Sequence, residues 1–252
     1  MKKIANEPSF VLHRYDWSES SLILEVFTRH HGRIALVAKG VKRPSSQFRP
    51  ILLPFQPLLI SFGGDAEVRT LKGAEWTGGY TMPSGDALLT GYYMNELLMR
   101  LLARDDPHET LFDAYAAMTL LLREEPAPDS ALRAFELVVL REIGLLPSLD
   151  TATLTLQALQ SDLRYSLLPE AGLREAAHES PASAASLGAP AWQRLHAALE
   201  DAAPLSALRQ VCTALVATER QSLKTQLRSL LHYHCGGKTL RTRQLMMDVQ
   251  GL

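Results

Sequence analysis

The chain has 252 residues, of which 46% are hydrophobic and 21% are charged, and its formal net charge is −1. This composition is typical of a globular protein with one large domain or two to three small ones. No run approaches the roughly 18 apolar residues of a membrane-spanning helix, and no apolar segment follows the lysines of MKKIANEPSF, the first ten residues. We therefore expect a cytoplasmic protein without a membrane span or a secretory leader.

Charge is distributed unevenly along the chain. Residues 1–80 carry 11 Lys and Arg against 7 Asp and Glu, residues 81–217 carry 9 against 18, and residues 218–252 carry 6 against 2. Both ends are therefore basic, about +4 each, around an acidic centre of about −9. A polyanion would be attracted to the ends, although chance variation over a solvated surface gives the same asymmetry.

Residues 8 to 78 alternate between apolar and polar side chains, which is the period of a β-strand. We count five short strands in this region. That number and size suit a small closed or nearly closed barrel, of which the OB-fold is one common form. The clearest alternating triplets are Leu22, Leu24 and Val26; Ile34, Leu36 and Ala38; and Leu58, Ile60 and Phe62.

Helical spacing replaces the strand pattern after residue 80. Three helices are predicted, through residues 88–102, LFDAYAAMTLLLRE and SALRAFELVVLREIG, followed by one long helix carrying leucines from Leu205 to Leu231. The tail KTLRTRQLMMDVQ is predicted to be a basic amphipathic piece. The fold class is thus α+β, with a barrel domain at 1–80 and a helical domain at 81–252 that contains an irregular insertion at about 148–190.

No motif predicts catalysis, a metal or a nucleotide. The segment GGKT at 236–239 lacks the glycine that a phosphate-binding loop requires at position 232, where this chain has His232, and it follows a helix instead of a strand. The glycine pair is better explained as a left-handed helix cap. His232, His234 and Cys235 lack a second ligand pair for zinc, and no Gly-x-Ser-x-Gly is present. We expect no enzyme, no cofactor, no disulfide and no metal site.

The strongest remaining signal is a basic loop, VAKGVKRPSSQFRP, at residues 37–50. Small barrels bind single strands by pairing phosphates with a positive groove and by stacking bases on aromatic rings. A barrel that binds only protein remains the alternative. The candidate DNA-binding cations are Arg14, Arg33, Lys39, Lys42, Arg43, Arg49 and Lys72, and the candidate stacking rings are Tyr15, Trp17, Phe27, Phe48 and Trp76, of which Phe27 is expected in the core.

Several segments follow one another in the order typical of a known family. They are VLHRYDWSESSLILEVFT, GRIALVAKGVKR and LLPFQPLLISFGG in the barrel region, then ELLMRLL, LRAFELVVLREIG and GGKTLRTRQL. Together they resemble the RecO family of bacterial recombination mediators. The resemblance implies an N-terminal OB-fold, a helical body and a nucleoid-associated protein that acts without ATP.

The resemblance also implies partners. RecO-like proteins bind single- and double-stranded DNA, anneal strands coated by single-strand-binding protein, and help load RecA together with RecR. The alternative is a protein adaptor that contacts DNA only through other repair proteins.

Two features of the helical part follow from the resemblance. Many RecO-like chains carry a four-cysteine zinc module, but residues 147–173 contain no cysteine, so we expect Leu154, Leu156, Leu159 and Leu163 to hold this segment without zinc. The family also binds the acidic C-terminal tail of single-strand-binding protein, which needs an arginine beside an apolar pocket. Arg133 is the first candidate, with Arg100, Leu97 and Leu101 as further ones, unless Arg133 merely pairs with Glu136 or Glu96.

Overall fold

The computed structural model describes residues 3–78, 82–124, 129–176, 185–237, 239–242 and 244–245. The chain divides into two compact units, one formed by Met1–Pro126 with Leu240–Leu252 and the other by Ala127–Thr239. Each unit is described by itself. Within the described part of the chain, no helix is long and apolar enough to cross a membrane.

The first unit is built on a five-stranded barrel. The strands are β1 (Lys3–Asp16), β2 (Leu22–Thr28), β3 (Gly32–Ala38), β4 (Pro57–Gly63) and β5 (Val68–Trp76). Their order is β1-β2-β3-β5-β4, and β4 also pairs with β1, so the sheet closes on itself. Only the β3–β5 contact is parallel. The predicted α+β class and OB-type barrel are confirmed.

The barrel core is formed by the alternating residues that the sequence predicted. Leu24 and Val26 of β2 face Leu36 and Ile34 of β3 across the ladder. Side chains on one face of a strand recur every second residue, so these positions all point inward. The same core includes Val11, Ala38, Val41, Leu52, Leu58, Ile60, Phe62 and Leu71, none of which is more than 7% exposed.

Two helices, α1 (Gly85–Leu101) and α2 (Glu109–Glu124), pack with the barrel. Phe10 and Phe27 on the strands contact the rings of Phe112 and Tyr115 on α2, with ring centroids 5.1 to 6.0 Å apart. These rings bury a large apolar area, which is why Phe27 belongs to the core. By its packing, the first unit therefore continues past residue 80, the predicted domain boundary.

A buried hydrogen-bond chain also joins the helices to the barrel. The Tyr115 hydroxyl donates to Asn95 Oδ1 at 2.6 Å, and Asn95 Nδ2 donates to the Leu12 carbonyl at 2.9 Å. Leu12 lies at an irregularity in the β1–β2 register, where the ladder leaves its backbone available to another partner.

In its described part, the second unit contains four helices and a small sheet. The helices are α3 (Asp129–Glu142), α4 (Ala189–Leu199), α5 (Pro204–Ala214) and α6 (Ala217–His234). The prediction of a single long helix over Leu205 to Leu231 was wrong, because the backbones of Leu215 and Val216 are extended and separate α5 from α6. Leu215 is nevertheless buried, so the apolar spacing in the sequence continues across the break. Gly236 and Gly237 have φ of 76° and 69° and confirm the predicted left-handed cap.

The segment predicted to be irregular, 148–190, contains a three-stranded sheet in its described part. Its strands are β6 (Arg164–Leu168), β7 (Gly172–Glu175) and β8 (Leu187–Gly188), in the order β7-β6-β8. Leu159 is 6% exposed, but Leu154 and Leu156 are 73% and 79% exposed, so the prediction that these two leucines hold the segment was wrong. Buried residues of the sheet, Tyr165, Leu167 and Leu173, supply apolar packing instead. Residues 177–184 of this segment lie outside the described residues.

Candidate nucleic-acid interface

The basic loop is folded closely onto one end of the barrel. Val41, Leu52 and Phe55 are at most 2% exposed, and Phe48 packs against the barrel core. Successive turns shorten the loop, with the Arg43 amide donating to the Gly40 carbonyl at 3.2 Å and the Ser46 amide to the Arg43 carbonyl at 3.0 Å. Apolar anchors and local turns therefore hold the backbone that carries the charged side chains.

The turn between β1 and β2 is hydrogen-bonded to this loop. The Lys42 amide donates to the Ser20 carbonyl at 3.0 Å, and Lys42 Nζ donates to the Ser18 carbonyl at 2.9 Å. On β1, Arg14 donates to the Leu52 carbonyl at 3.3 Å. We call the exposed parts of residues 14–21 and 39–49 the barrel-end surface.

Three cations of the basic loop have no acidic partner among the residues that the structure describes. They are Lys39, Arg43 and Arg49, and all three are exposed. Lys42 differs, because its ammonium lies 2.6 Å from Asp16 and its side chain is only 29% exposed. The four charges of the loop are thus of two kinds: three are available to a ligand, and one holds the neighbouring turn.

Arg33 does not share this surface. It is the second residue of β3, six residues before Lys39, which is about 20 Å along an extended strand. Its guanidinium lies 3.2 Å from Glu25, a carboxylate only 5% exposed that also pairs with Arg104 at 2.5 Å. Because a buried carboxylate needs compensating charge, Arg33 is occupied in stabilising the fold.

Lys72 is exposed on β5 and has no carboxylate partner within the described ranges. It is the additional residue at a bulge, because Leu71 pairs with Phe62 and Gly73 pairs with Ser61. The parallel β3–β5 pairing ends at Val37 and Thr70, two residues before Lys72 on β5. Lys72 is thus an exposed cation of the barrel outside the residues of the barrel-end surface.

The candidate stacking rings differ in their accessibility. Trp17 is 66% exposed, Trp76 is 45% exposed and Tyr15 is 43% exposed, whereas Phe27 is fully buried. Trp17 and Tyr15 belong to the barrel-end surface, beside the loop that carries the available cations.

The partner-tail candidates fall in both units. In the first unit, Arg100 pairs with Glu96 at 2.9 Å, Leu97 is fully buried and Leu101 is partly buried. In the second unit, Arg133 is 8% exposed and pairs with the buried Glu136 at 2.5 Å, and with Asp129 at 3.8 Å. The Arg133–Glu136 pairing is one that the sequence allowed; Glu96 instead pairs with Arg100.

Two contacts at the candidate sites, one at α1 and one at the basic loop, were not anticipated from the sequence. Glu96 accepts hydrogen bonds from the backbone amides of Arg241 and Thr242, both at 2.9 Å, and so binds the C-terminal segment to α1. Asp16 pairs with Lys42 across 26 positions of sequence. Neither pairing has a local sequence signal, because each joins residues that only the tertiary fold brings together.

No group of three His, Cys, Asp or Glu side chains in the described part of the chain is arranged to hold a metal ion.

Comparison with known proteins identifies relatives over the whole chain. Residues 1–80 match the family model described as Recombination protein O N terminal, and residues 82–244 match the one described as Recombination protein O C terminal. A DNA repair protein RecO of Variovorax paradoxus (strain S110) is 62% identical over 257 residues, covering 99% of this chain and 98% of that protein. The DNA repair protein RecO of Polaromonas sp. (strain JS666 / ATCC BAA-500) is 61% identical, covering 100% of this chain and 99% of that protein.

Proposed function

The chain belongs to the recombination protein O family, which has a role in DNA repair and recombination, and from that premise we propose that it binds DNA through the barrel-end surface. The observation that carries the proposal is a set of three exposed cations, Lys39, Arg43 and Arg49, that have no acidic partner in the part of the chain that the structure describes. Phosphate contacts by such side chains release counterions and give affinity that falls with salt. Arg14 belongs to the same surface, and Lys72 is a further exposed cation of the barrel.

The proposal includes the activities expected of the family. Acting as a mediator and not as an enzyme, the protein binds single- and double-stranded DNA, anneals strands coated by single-strand-binding protein, and helps RecR load RecA without hydrolysing a nucleotide. The structure contributes a physical reason for binding without sequence preference: flexible cations on a rigid loop contact phosphates, which carry no sequence information.

Charge reversal tests the phosphate contacts. We expect Lys39→Glu, Arg43→Glu and Arg49→Glu each to weaken binding to a single-stranded oligonucleotide and to reduce the log–log salt slope by about 0.7 per lost contact. Arg194→Glu is the matched control, since Arg194 is exposed on α4 and changes the net charge equally. An unchanged slope in the loop variants, or an equal change in the control, would rule out this surface.

Annealing tests the mediator function. Complementary oligonucleotides, bare and coated with single-strand-binding protein, are mixed with the protein in the absence of ATP and in the presence of a chelator. Accelerated annealing under these conditions supports a mediator that needs neither nucleotide nor metal. An adaptor that reaches DNA only through partners would neither shift the bare oligonucleotide nor speed its annealing.

We place the acidic tail of single-strand-binding protein among the proposed partners. Because Arg133 and Arg100 already pair with glutamates, the terminal carboxylate of the tail would have to replace Glu136 or Glu96 at the guanidinium. Tail peptides with a free and an amidated C-terminus should therefore differ in affinity. Arg100→Ala and Arg133→Ala identify the arginine involved, with thermal unfolding as the control, because removing Arg133 leaves Glu136 buried without its charge partner.

A further inference from the structure

Trp17 is a large apolar side chain that is exposed to solvent on the charged barrel-end surface. Its indole is 66% exposed, whereas Trp192 is fully buried. Single exposed apolar residues are common on protein surfaces, so exposure alone assigns no role. Its backbone anchoring and its neighbours supply the further observations.

The backbone that carries the indole is held firmly. The amides of Trp17 and Ser18 both donate to the Ser21 carbonyl, at 3.3 and 3.4 Å, and the Ser21 amide donates to the Ser18 hydroxyl at 3.2 Å. Lys42 then spans the turn, bonding to Asp16 on one side and to Ser18 on the other. A ring on such a turn loses little backbone freedom when a ligand binds it.

A second aromatic ring, that of Tyr15, lies on the same face of the hairpin as Trp17. The Trp17–Ser21 hydrogen bond continues the ladder beyond the Tyr15–Ile23 pair, so Tyr15 and Trp17 lie two residues apart on one face of the hairpin. Tyr15 is 43% exposed, and its ring packs edge-on against His13 with centroids 4.5 Å apart. The hairpin thus presents a short aromatic row beside the cations of the basic loop.

These neighbours indicate the chemistry of the ligand. Flat apolar rings on a turn that is bonded to the basic loop, whose exposed cations have no acidic partner among the described residues, fit a polyanion that also exposes flat apolar faces. A single nucleic-acid strand has both features, whereas a duplex encloses its base faces in the stack. We propose that Trp17 stacks on an unpaired base of bound DNA and that this contact makes the barrel-end surface prefer single strands; the inference rests on the DNA-binding function proposed above.

Affinity measurements with three probes test the stacking contact. The probes are an oligonucleotide of thymidines, a duplex, and a strand of equal length that retains phosphates and sugars but has no bases. Stacking by an aromatic side chain corresponds to about a fivefold to hundredfold change in affinity per base. We expect Trp17→Ala to weaken thymidine-strand binding by that factor and to change binding of the other two probes less than about twofold, with Trp17→Phe intermediate.

Two controls make the result specific. Tyr233→Ala removes a half-exposed ring that lies on α6, outside the barrel, and should leave all three affinities unchanged. Intrinsic fluorescence gives an independent measurement, because a stacked base quenches an indole: thymidine strands should quench wild type strongly and Trp17→Phe only weakly, and the strand without bases should quench neither.

The outcomes separate this inference from the function on which it rests. Equal losses by Trp17→Ala on all three probes, or no loss on any while Arg43→Glu still weakens binding, would refute the stacking contact and leave DNA binding intact. Failure of the wild-type protein to bind any probe would refute both.

Discussion

At the scale of single residues, charged side chains that look equivalent in the sequence differ in the ion-pair partners that the fold gives them. Lys42 and Arg43 are neighbours with the same charge, yet Lys42 is bonded to Asp16, whereas Arg43 is exposed and has no carboxylate partner within the described residues. Arg33 is likewise occupied by Glu25. The functional value of a cation therefore depends on whether the fold has already used its charge.

The buried hydrogen-bond chain predicts a stability change. Tyr115→Phe removes the donor to Asn95 and leaves a buried amide oxygen without that bond, which typically costs about 1–3 kcal/mol. We expect a lower midpoint of denaturant unfolding with an unchanged slope. Tyr15→Phe is the control, since Tyr15 is 43% exposed and should unfold as wild type does. Equal midpoints for the Tyr115 variant and wild type would contradict the assignment.

The two cysteines are predicted to react differently. Burial raises the pKa of Cys212 to about 12, so at pH 8 its thiol stays protonated and lacks the nucleophilic thiolate. Cys235, at the end of α6, is partly exposed. An aromatic disulfide reagent should therefore label one thiol rapidly in the native protein and the second only after unfolding. Cys235→Ser should abolish the fast phase; a persisting fast phase would show that Cys212 is accessible.

At the scale of elements, α1 approaches the barrel at Gly91. A methyl group there would lie 2.8 Å from the ring of Phe55, which is 1% exposed. Alanine normally favours a helix by about 1 kcal/mol over glycine, so the two effects oppose each other. We expect the contact to dominate and Gly91→Ala to lower the thermal midpoint. Combining it with Phe55→Leu should show positive coupling in a double-mutant cycle; simple additivity would exclude the clash.

The C-terminal segment is held by α1 through Glu96, which makes its attachment dependent on pH. Burial opposes ionisation of Glu96, but the amides of Thr242 and Arg241 and the Thr242 hydroxyl outweigh it, so the pKa lies below the usual glutamate value. A lowered pKa gives stability that is complete above about pH 4.3 and is lost as pH falls through the folded value.

We therefore expect the Thr242 amide to lose hydrogen-exchange protection only as the pH falls below the usual glutamate pKa of about 4.3, after correction for the intrinsic rate. Glu96→Gln should show the same loss at pH 7, where wild type is protected. Protection that is independent of pH and of this substitution would contradict the role of the carboxylate.

At the scale of the whole molecule, the sequence predicted the features that depend on the spacing of apolar residues. Strand alternation located the barrel core, because a half-buried strand must place apolar residues at every second position. The break at Leu215 and Val216 was missed because the buried Leu215 continues the helical spacing. The exposed Leu154 and Leu156 were misjudged because apolar composition does not reveal which side of a loop is covered.

The candidate site was only partly predictable for a related reason. A run of basic residues is visible in the sequence, so the loop at 39–49 could be located. Which of its charges are neutralised depends on tertiary neighbours such as Asp16, and these have no fixed spacing from the loop. The hydrogen bond by which Lys42 holds the turn that carries Trp17 could not be predicted for the same reason.

Closure of the barrel has a consequence for how partners can join this protein. Each of the strands β1 to β5 has a neighbouring strand on both sides, but the β3–β5 pairing spans only Ala35–Val37 and Val68–Thr70, so among the described residues β5 beyond Thr70 pairs with β4 alone. In the small sheet, the outer edge of β7 is occupied at Leu173, whose carbonyl accepts from the Thr153 amide and whose amide donates to the Thr153 hydroxyl. A partner's extended peptide could therefore add only to short stretches of strand in the described part of either unit, and recognition falls mainly to side chains and turns.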